Sequence, residues 1–332
     1  VKVLFIGGTG NISTQVSRLC IERGMELFLL NRGKRTADLP GATFIHADMS
    51  KAGEPDRVLK EHRWDAVVNW IAFTESEVER DIALFRGRTG QYVFISSASA
   101  YQKPPSHPVI TESTPLGNPH WEYSRNKIAC EERLNRACRD EEFPVIIVRP
   151  SLTYDTVIPV AIGGWTEYTI IDRMKRGKRA IIHGDGTSLW TITHAEDFAK
   201  GFVPLLGHQQ AAGNAFHITS DEILTWNQIY QAVADAAGCE LKGVHIPSDF
   251  IVQCDESFRG TLLGDKAMSV IFDNSKIRRF APGFVATIPF NRGIRRTLAW
   301  FDADRSRQVV SRETDALMDR IIAAYERKSP GS

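Results

Sequence analysis

Short apolar runs alternate with longer amphipathic stretches through the first half of the chain. Residues 3–6 form an apolar run, and from Ile12 to about Arg23 the apolar positions return at helical spacing. Further short runs fall at 26–30, 43–45, 66–69, 92–95 and 145–148. Runs this short and this apolar predict strands buried on both faces. Strands separated by helices predict parallel pairing, with the helices covering both sides of one sheet. Right-handed crossovers then wind that sheet outward in two directions from its centre. The expected fold class is α/β, a Rossmann-like doubly wound parallel sheet.

After Pro150 the rhythm changes. Gly163-Gly164-Trp165, Gly184-Asp185-Gly186 and Gly260 punctuate irregular segments. Residues 226–237 read as a helix with Thr225 as its cap, and 295–301 and 314–327 read as two more. The expected organisation is a dinucleotide-binding domain over 1–155, with a return segment near 187–215, and a smaller, mainly substrate-binding domain over 156–332.

Composition narrows the class. The 332 residues carry a net charge of +1, which disfavours a nucleic-acid or membrane partner. The five cysteines include no Cys-x-x-Cys pair and are odd in number, which argues for free thiols in a reducing compartment. The nine histidines show no ligand-pair spacing, so no metal is expected. No basic-then-apolar leader precedes the first strand and no apolar run is long enough to span a bilayer, so a cytoplasmic location is expected. The basic run from Arg173 to Arg179 reads as a solvated helix face and turn.

Two motifs carry candidate chemistry. Gly7-Gly8-Thr9-Gly10-Asn11-Ile12-Ser13 lies between the first strand and the first helix. Glycines there permit a tight turn and close approach of a pyrophosphate, which the helix N-terminus then meets with backbone N–H groups. Ser13 stands where the usual fingerprint has its third glycine. The second strand ends in Asn31-Arg32-Gly33-Lys34-Arg35, with no carboxylate for an adenosine ribose. Cations at this point suit a 2′-phosphate, so the cofactor is NADP or NAD, with NADP slightly favoured. Asp48-Met49 follows the third strand, where a carboxylate could meet the adenine amino group.

The second motif is Tyr123 with Lys127, spaced to share one helix face. A free tyrosine titrates near pH 10. A nearby ammonium and a cationic nicotinamide ring both favour phenolate. Bringing that group to neutrality corresponds to roughly 4 kcal/mol, a reasonable task for two cations in a dry cleft. Upstream, the run 93–101 ends a buried strand in hydroxyls, Ser97 and Ser99 among them. Ligands of open α/β sheets sit at such strand ends, where a serine can bond the reacting substrate oxygen.

These residues resemble the extended short-chain dehydrogenase/reductases, the NAD(P)-dependent sugar epimerase/dehydratase family. The resemblance runs over nearly the whole chain and includes Val148-Arg-Pro-Ser-Leu-Thr-Tyr154, Gly184-Asp-Gly-Thr-Ser-Leu-Trp190 and Thr193-His-Ala-Glu-Asp197. It implies Ser97, Tyr123 and Lys127 as the catalytic set. It implies Asn11 and Ile12 at the pyrophosphate, Ile71 and Ala72 beside the cofactor, and Pro150 near the carboxamide. Departures bear on the substrate. Family dehydratases carry Asp and Glu at the catalytic strand end, and this chain has Ala98 and Ser99. An arginine that grips a nucleotide diphosphate in many members is replaced here by Trp190. Trp165 and Tyr154 are further candidates for an aromatic wall against a sugar-like substrate. Arg259, Lys266 or Arg292 could supply the lost charge.

Three readings stay open: an epimerase working through a transient ketone, a ketoreductase or dehydrogenase, and a non-catalytic binding protein. The last is kept because Asn31-Arg32-Gly33 and 274–278 resemble the branch that contains plastid stem-loop RNA-binding proteins. A homodimer is compatible with each.

Overall fold

The computed structural model describes residues 1–33 and 38–328. Seven parallel strands form one sheet: β1 (Lys2–Ile6), β2 (Glu26–Asn31), β3 (Thr43–His46), β4 (Ala66–Asn69), β5 (Tyr92–Ile95), β6 (Val145–Val148) and β7 (Asn214–Phe216). Their order across the sheet is β7-β6-β5-β4-β1-β2-β3. The chain therefore winds one way from β1 to β3 and the other way from β4 to β7. The crevice lies between β1 and β4, where the direction reverses.

The period of two along β1 explains the layering. Val3 and Phe5 pack in a cluster with Val16 and Cys20 of α1 (Ser13–Glu22) and with Phe198 and Phe202. Leu4 and Ile6 point the other way, into a cluster with Leu59, Val78, Ile82 and Leu134. That second layer is built from α2 (Glu54–Leu59), α3 (Glu75–Phe85) and α4 (Glu122–Asp140). The expected doubly wound α/β sheet is present, with helices on both faces.

A third core lies among the later elements. It collects Tyr154, Trp190, Trp226, Tyr230, Ile294, Leu298, Met318 and Ile322. Three longer helices supply much of it. The run 226–237 is helical, and Thr225 accepts the Gln228 N–H at 3.2 Å while Gln228 Oε1 accepts the Thr225 N–H at 2.8 Å. This reciprocal capping satisfies two orphan donors at once. The other two helices span Phe290–Asp302 and Arg312–Lys328, each extending beyond the sequence expectation.

In the basic run 173–179, Lys175, Arg176 and Arg179 are exposed as expected, and Arg173 is the correction. Arg173 is 1% exposed and donates to Asp315 at 2.6 Å and Asp319 at 2.7 Å. Lys178 reaches the same two carboxylates at 2.9 and 2.6 Å. These bonds dock the last helix. Among the described residues, no helix is long and apolar enough to cross a membrane.

Candidate functional site

A cleft of about 860 Å³ opens at the C-terminal ends of β1, β4 and β5. Its floor is the glycine loop. Gly7 and Gly8 hold φ of +100° and +92°, a region that side chains rarely enter. A Cβ on Gly8 would stand 2.7 Å from Leu29 Cδ2 and 3.2 Å from Phe5 Cβ, so the loop packs closely on β1 and β2 and a side chain at this φ would be strained. Ser13 is 3% exposed, and its hydroxyl accepts the Gly10 N–H at 2.8 Å. Serine in place of the third glycine thus fits the packing and occupies one loop donor. The Asn11 side chain is engaged within the protein. It accepts from the Asp155 N–H at 2.9 Å and donates to the Thr153 carbonyl at 2.9 Å, tying the loop to residues 153–156. Thr9, Gly10, Asn11 and Ile12 all line the cleft. No side chain caps the first turn of α1, and within it the Thr14 N–H is taken by the Gly10 carbonyl at 3.0 Å.

The second strand ends farther out. Asn31 Oδ1 accepts the Gly33 N–H at 2.8 Å, and among the described residues its buried Nδ2 has no partner. Arg32 is exposed. Lys34 and Arg35 lie outside the described residues. Asp48 accepts both the N–H and the hydroxyl of Ser50, at 3.0 and 2.7 Å. These bonds, with a smaller contribution from Arg32, hold its carboxyl below the usual range. The Met49 side chain is 6% exposed and packs in the core with Leu4 and Ile6, so only its backbone faces outward beside Asp48. None of Asn31, Arg32, Asp48 and Met49 lines the main cleft.

At the end of β4, one buried amide shapes the wall. Asn69 Oδ1 accepts the N–H groups of Ile71 at 2.8 Å and Ala72 at 2.9 Å. Its Nδ2 donates to Asp81, which also accepts the Tyr92 hydroxyl at 2.7 Å. Burial pushes the Asp81 carboxyl up to about 6 against these bonds. Ile71 and Phe73 project into the cleft, 46% and 45% exposed. The side chain of Ala72 is buried, so this residue contributes its carbonyl and not a surface.

That carbonyl meets α4. Lys127 is 2% exposed, and its Nζ donates to Ala72 O at 2.6 Å and Ile95 O at 2.8 Å. Burial lowers its pKa to about 8. Tyr123 lies one turn earlier, its ring 5.0 Å from Trp121 and 6.0 Å from Phe73. Burial raises the phenol's pKa, the Ser97 hydroxyl opposes this, and the Asp265 charge adds to the rise. The ammonium, engaged with these two carbonyls, lies 5.8 Å from the phenol ring centre.

Ser97, Tyr123 and Lys127 line one wall, with Ser99 and Pro150 beside them. Ser99 is 3% exposed and bonds Ser97 at 2.8 Å. Two groups were missed from the sequence. Ser124 donates to Ser99 at 2.7 Å. Glu131 accepts the Ser96 hydroxyl and pairs with Arg149 at 2.6 Å. A signal existed. Ser124, Lys127, Glu131, Leu134 and Ala137 form a helical stripe on the buried face of α4, and the first three are polar.

The far end of the cleft is aromatic. Trp165 is 38% exposed and lines it, as do Trp121 and Phe258. Two other expected walls are corrected. Tyr154 is fully buried, 5.2 Å from His194 and 5.4 Å from Phe290. Trp190 is 2% exposed and packs 5.7 Å from Trp226. Both serve the third core, where the apolar area of their rings is buried. Of the cations considered, Lys266 lines the cleft and bonds Asp265 at 3.0 Å, on a π-helical turn spanning Leu262–Lys266. Arg259 is paired with Glu256, and neither it nor Arg292 reaches the wall. No arginine stands among the described residues of the lining.

Residues 3–219 match the model of the NAD dependent epimerase/dehydratase family. The chain is 25% identical to 2′-dehydrokanamycin reductase from Streptomyces kanamyceticus, over 86% of this chain and 80% of that protein. It is 25% identical to the chloroplast stem-loop binding protein of 41 kDa b from Arabidopsis thaliana, over 71% of this chain and 63% of that one. Its fold superposes on dTDP-glucose 4,6-dehydratase from Bacillus anthracis in complex with NAD with a TM-score of 0.71 and 17% identity, covering 92% and 98% of the two chains.

Proposed function

Since the chain belongs to the NAD dependent epimerase/dehydratase family, we propose that it interconverts an alcohol and a ketone on a sugar-like ring. The observation that carries this reading is the convergence of Ser97, Tyr123 and Lys127 on one wall of a cleft whose floor is the glycine loop. A dinucleotide bound here supplies the chemistry of hydride transfer. The loop from Gly7 to Ile12 and the first turn of α1 would hold its pyrophosphate, and Ile71, Pro150 and the Lys127 ammonium would border its nicotinamide half.

Within that site Tyr123 gives a proton to the ketone oxygen, or takes it from the alcohol. Ser97 donates a hydrogen bond to the same oxygen. Lys127 contributes positive charge from beneath. Because the phenol alone sits above its ordinary pKa, that charge and the cofactor's ring together must favour the phenolate for oxidation. Reduction needs the protonated phenol, which burial already favours.

The substrate reading rests on the residues around that wall. Ala98 and Ser99 follow Ser97 where an elimination would need carboxylates. The lining carries the Asp265–Lys266 pair and no described arginine, which is a poor match to a diphosphate. Trp121, Trp165 and Phe258 offer faces for a sugar ring. Kinship with a reductase over most of both chains favours net reduction over epimerisation. A panel of 2′-dehydrokanamycin, simple keto sugars, nucleotide sugars and nucleosides tests this. The expected result is stoichiometric oxidation of the reduced cofactor with a keto sugar and no loss of water from any nucleotide sugar. Efficient dehydration of a nucleotide sugar would overturn it.

Cofactor choice turns on the end of β2. Arg32, with Lys34 or Arg35, is proposed to favour the 2′-phosphate, so NADP should bind more tightly than NAD. Titration of the apoprotein with both nucleotides reads this. Arg32→Ala should weaken NADP binding roughly fivefold to tenfold, in keeping with the loss of one charge-assisted bond. NAD preference that persists in that variant would mark the basic turn as solvated surface.

A further inference from the structure

We propose that Ser124 is a positioning residue that fixes the direction of a three-hydroxyl chain, so that Ser97 presents its proton, and not a lone pair, to the cleft. The chain runs Ser124, Ser99, Ser97. It deepens the alcohol–ketone reading by assigning the polarity of the group that faces the reacting oxygen.

The argument is a count of donors and acceptors. A serine hydroxyl has one proton and two acceptor sites. Ser124 is fully buried, and its hydroxyl donates to Ser99 Oγ at 2.7 Å. Ser99 has therefore received a proton at its oxygen and must place its own elsewhere. Its remaining hydroxyl neighbour is Ser97 Oγ, at 2.8 Å. Ser97 Oγ also accepts the Ser99 backbone N–H at 3.2 Å. Both acceptor sites of Ser97 are then filled, and its proton points away from Ser99. What lies on that side is the cleft, whose lining includes both Ser97 and Tyr123.

The surroundings hold this direction. Asn118 donates to the Ser99 carbonyl at 2.8 Å and to the Gly264 carbonyl at 2.7 Å, which anchors the turn bearing Ser97 and Ser99. Ser124 sits on α4 directly after Tyr123, so the helix that carries the phenol also sets the hydroxyl opposite it. A pure donor at Ser97 stabilises phenolate, and stabilises negative charge on a substrate oxygen as hydride arrives. An ambivalent hydroxyl does neither consistently.

The test uses the NADP-loaded full chain labelled at tyrosine Cζ. Carbon NMR follows the Tyr123 signal, identified by its loss in Tyr123→Phe, through a pH titration. In Ser124→Ala the Tyr123 midpoint should rise by about one pH unit, a roughly tenfold smaller phenolate fraction near neutrality. Ser124→Thr, which keeps the hydroxyl, should restore the midpoint. Ser99→Ala should shift it similarly, and the double variant should shift it no further, because Ser124 acts through Ser99. An unchanged midpoint in folded Ser124→Ala, or additive shifts in the double variant, would overturn the assignment. Should Ser124→Ala fail to fold, the Ser99→Ala and Ser124→Thr titrations decide alone: an unchanged midpoint in the first, or a raised one in the second, refutes it. The readout involves no substrate, so it stands or falls separately from the proposed reaction.

Discussion

Tyr123→Phe should lower turnover of a keto sugar about a thousandfold while leaving cofactor affinity within a factor of two or three of the parent. A positioned general acid contributes roughly 10²–10⁴ in rate, and the substitution removes the acid and nothing else. The ring keeps its places against Trp121 at 5.0 Å and Phe73 at 6.0 Å, so the wall of the cleft does not collapse. The phenol oxygen anchors no part of the glycine loop, which is held by Ser13, Ser17 and Asn11. Cofactor titration and initial rates on one preparation separate the two effects. A loss confined to the Michaelis constant would indicate that Tyr123 only binds substrate. Near-normal turnover would remove it from proton transfer altogether.

The candidate residues read in the sequence that line the cleft share a property. Their chemistry is announced by local spacing: glycines between a strand and a helix, or a tyrosine and a lysine one turn apart. Six strands of the sheet were legible for the same reason, since short runs such as 66–69 and 145–148 have no other stable use than burial on both faces, whereas β7 (Asn214–Phe216) was not among the runs read. The substrate wall was not legible. Tyr154, Trp190 and Trp165 look alike in sequence, yet the first two are spent on the third core and only Trp165 reaches the cleft. What separates them is packing between segments over a hundred residues apart in places, such as Gly293 beneath the Tyr154 hydroxyl. Arg173 misled for a related reason. Its charge suggested solvent, and its partners Asp315 and Asp319 lie more than a hundred residues later. Lys266 reads in sequence only as a spare cation beside Asp265, whereas their pairing and the π-turn that presents both are visible only in three dimensions.

Glu131→Ala should cost about 3–5 kcal/mol of stability, the largest loss expected from a single change near the site, seen as a fall of roughly 5–15 °C in melting temperature. Glu131 is fully buried on α4, one turn beyond Lys127. It accepts from Arg149 Nε at 3.0 Å and Nη2 at 2.6 Å, and from the Ser96 hydroxyl. Arg149 follows β6 and is only 5% exposed, its guanidinium 4.8 Å above the Tyr101 ring. Removing the carboxylate strands that guanidinium in the interior without a counter-charge. It also frees α4 from β5 and β6, the strands against which Tyr123 and Lys127 are aligned. Turnover, measured at a temperature where the variant stays folded, should therefore fall as well, by roughly tenfold. The two consequences can be parted. In Glu131→Leu with Arg149→Met no charge is left buried, so most of the stability should return, as buried ion pairs replaced by apolar side chains usually do. The activity should not return with it, because Ser96 and the helix have lost their shared anchor. A double variant that regains both would show that the pair serves only to neutralise itself. A single Glu131→Ala variant that melts like the parent would show that Arg149 finds another partner and that the pair does not hold the helix.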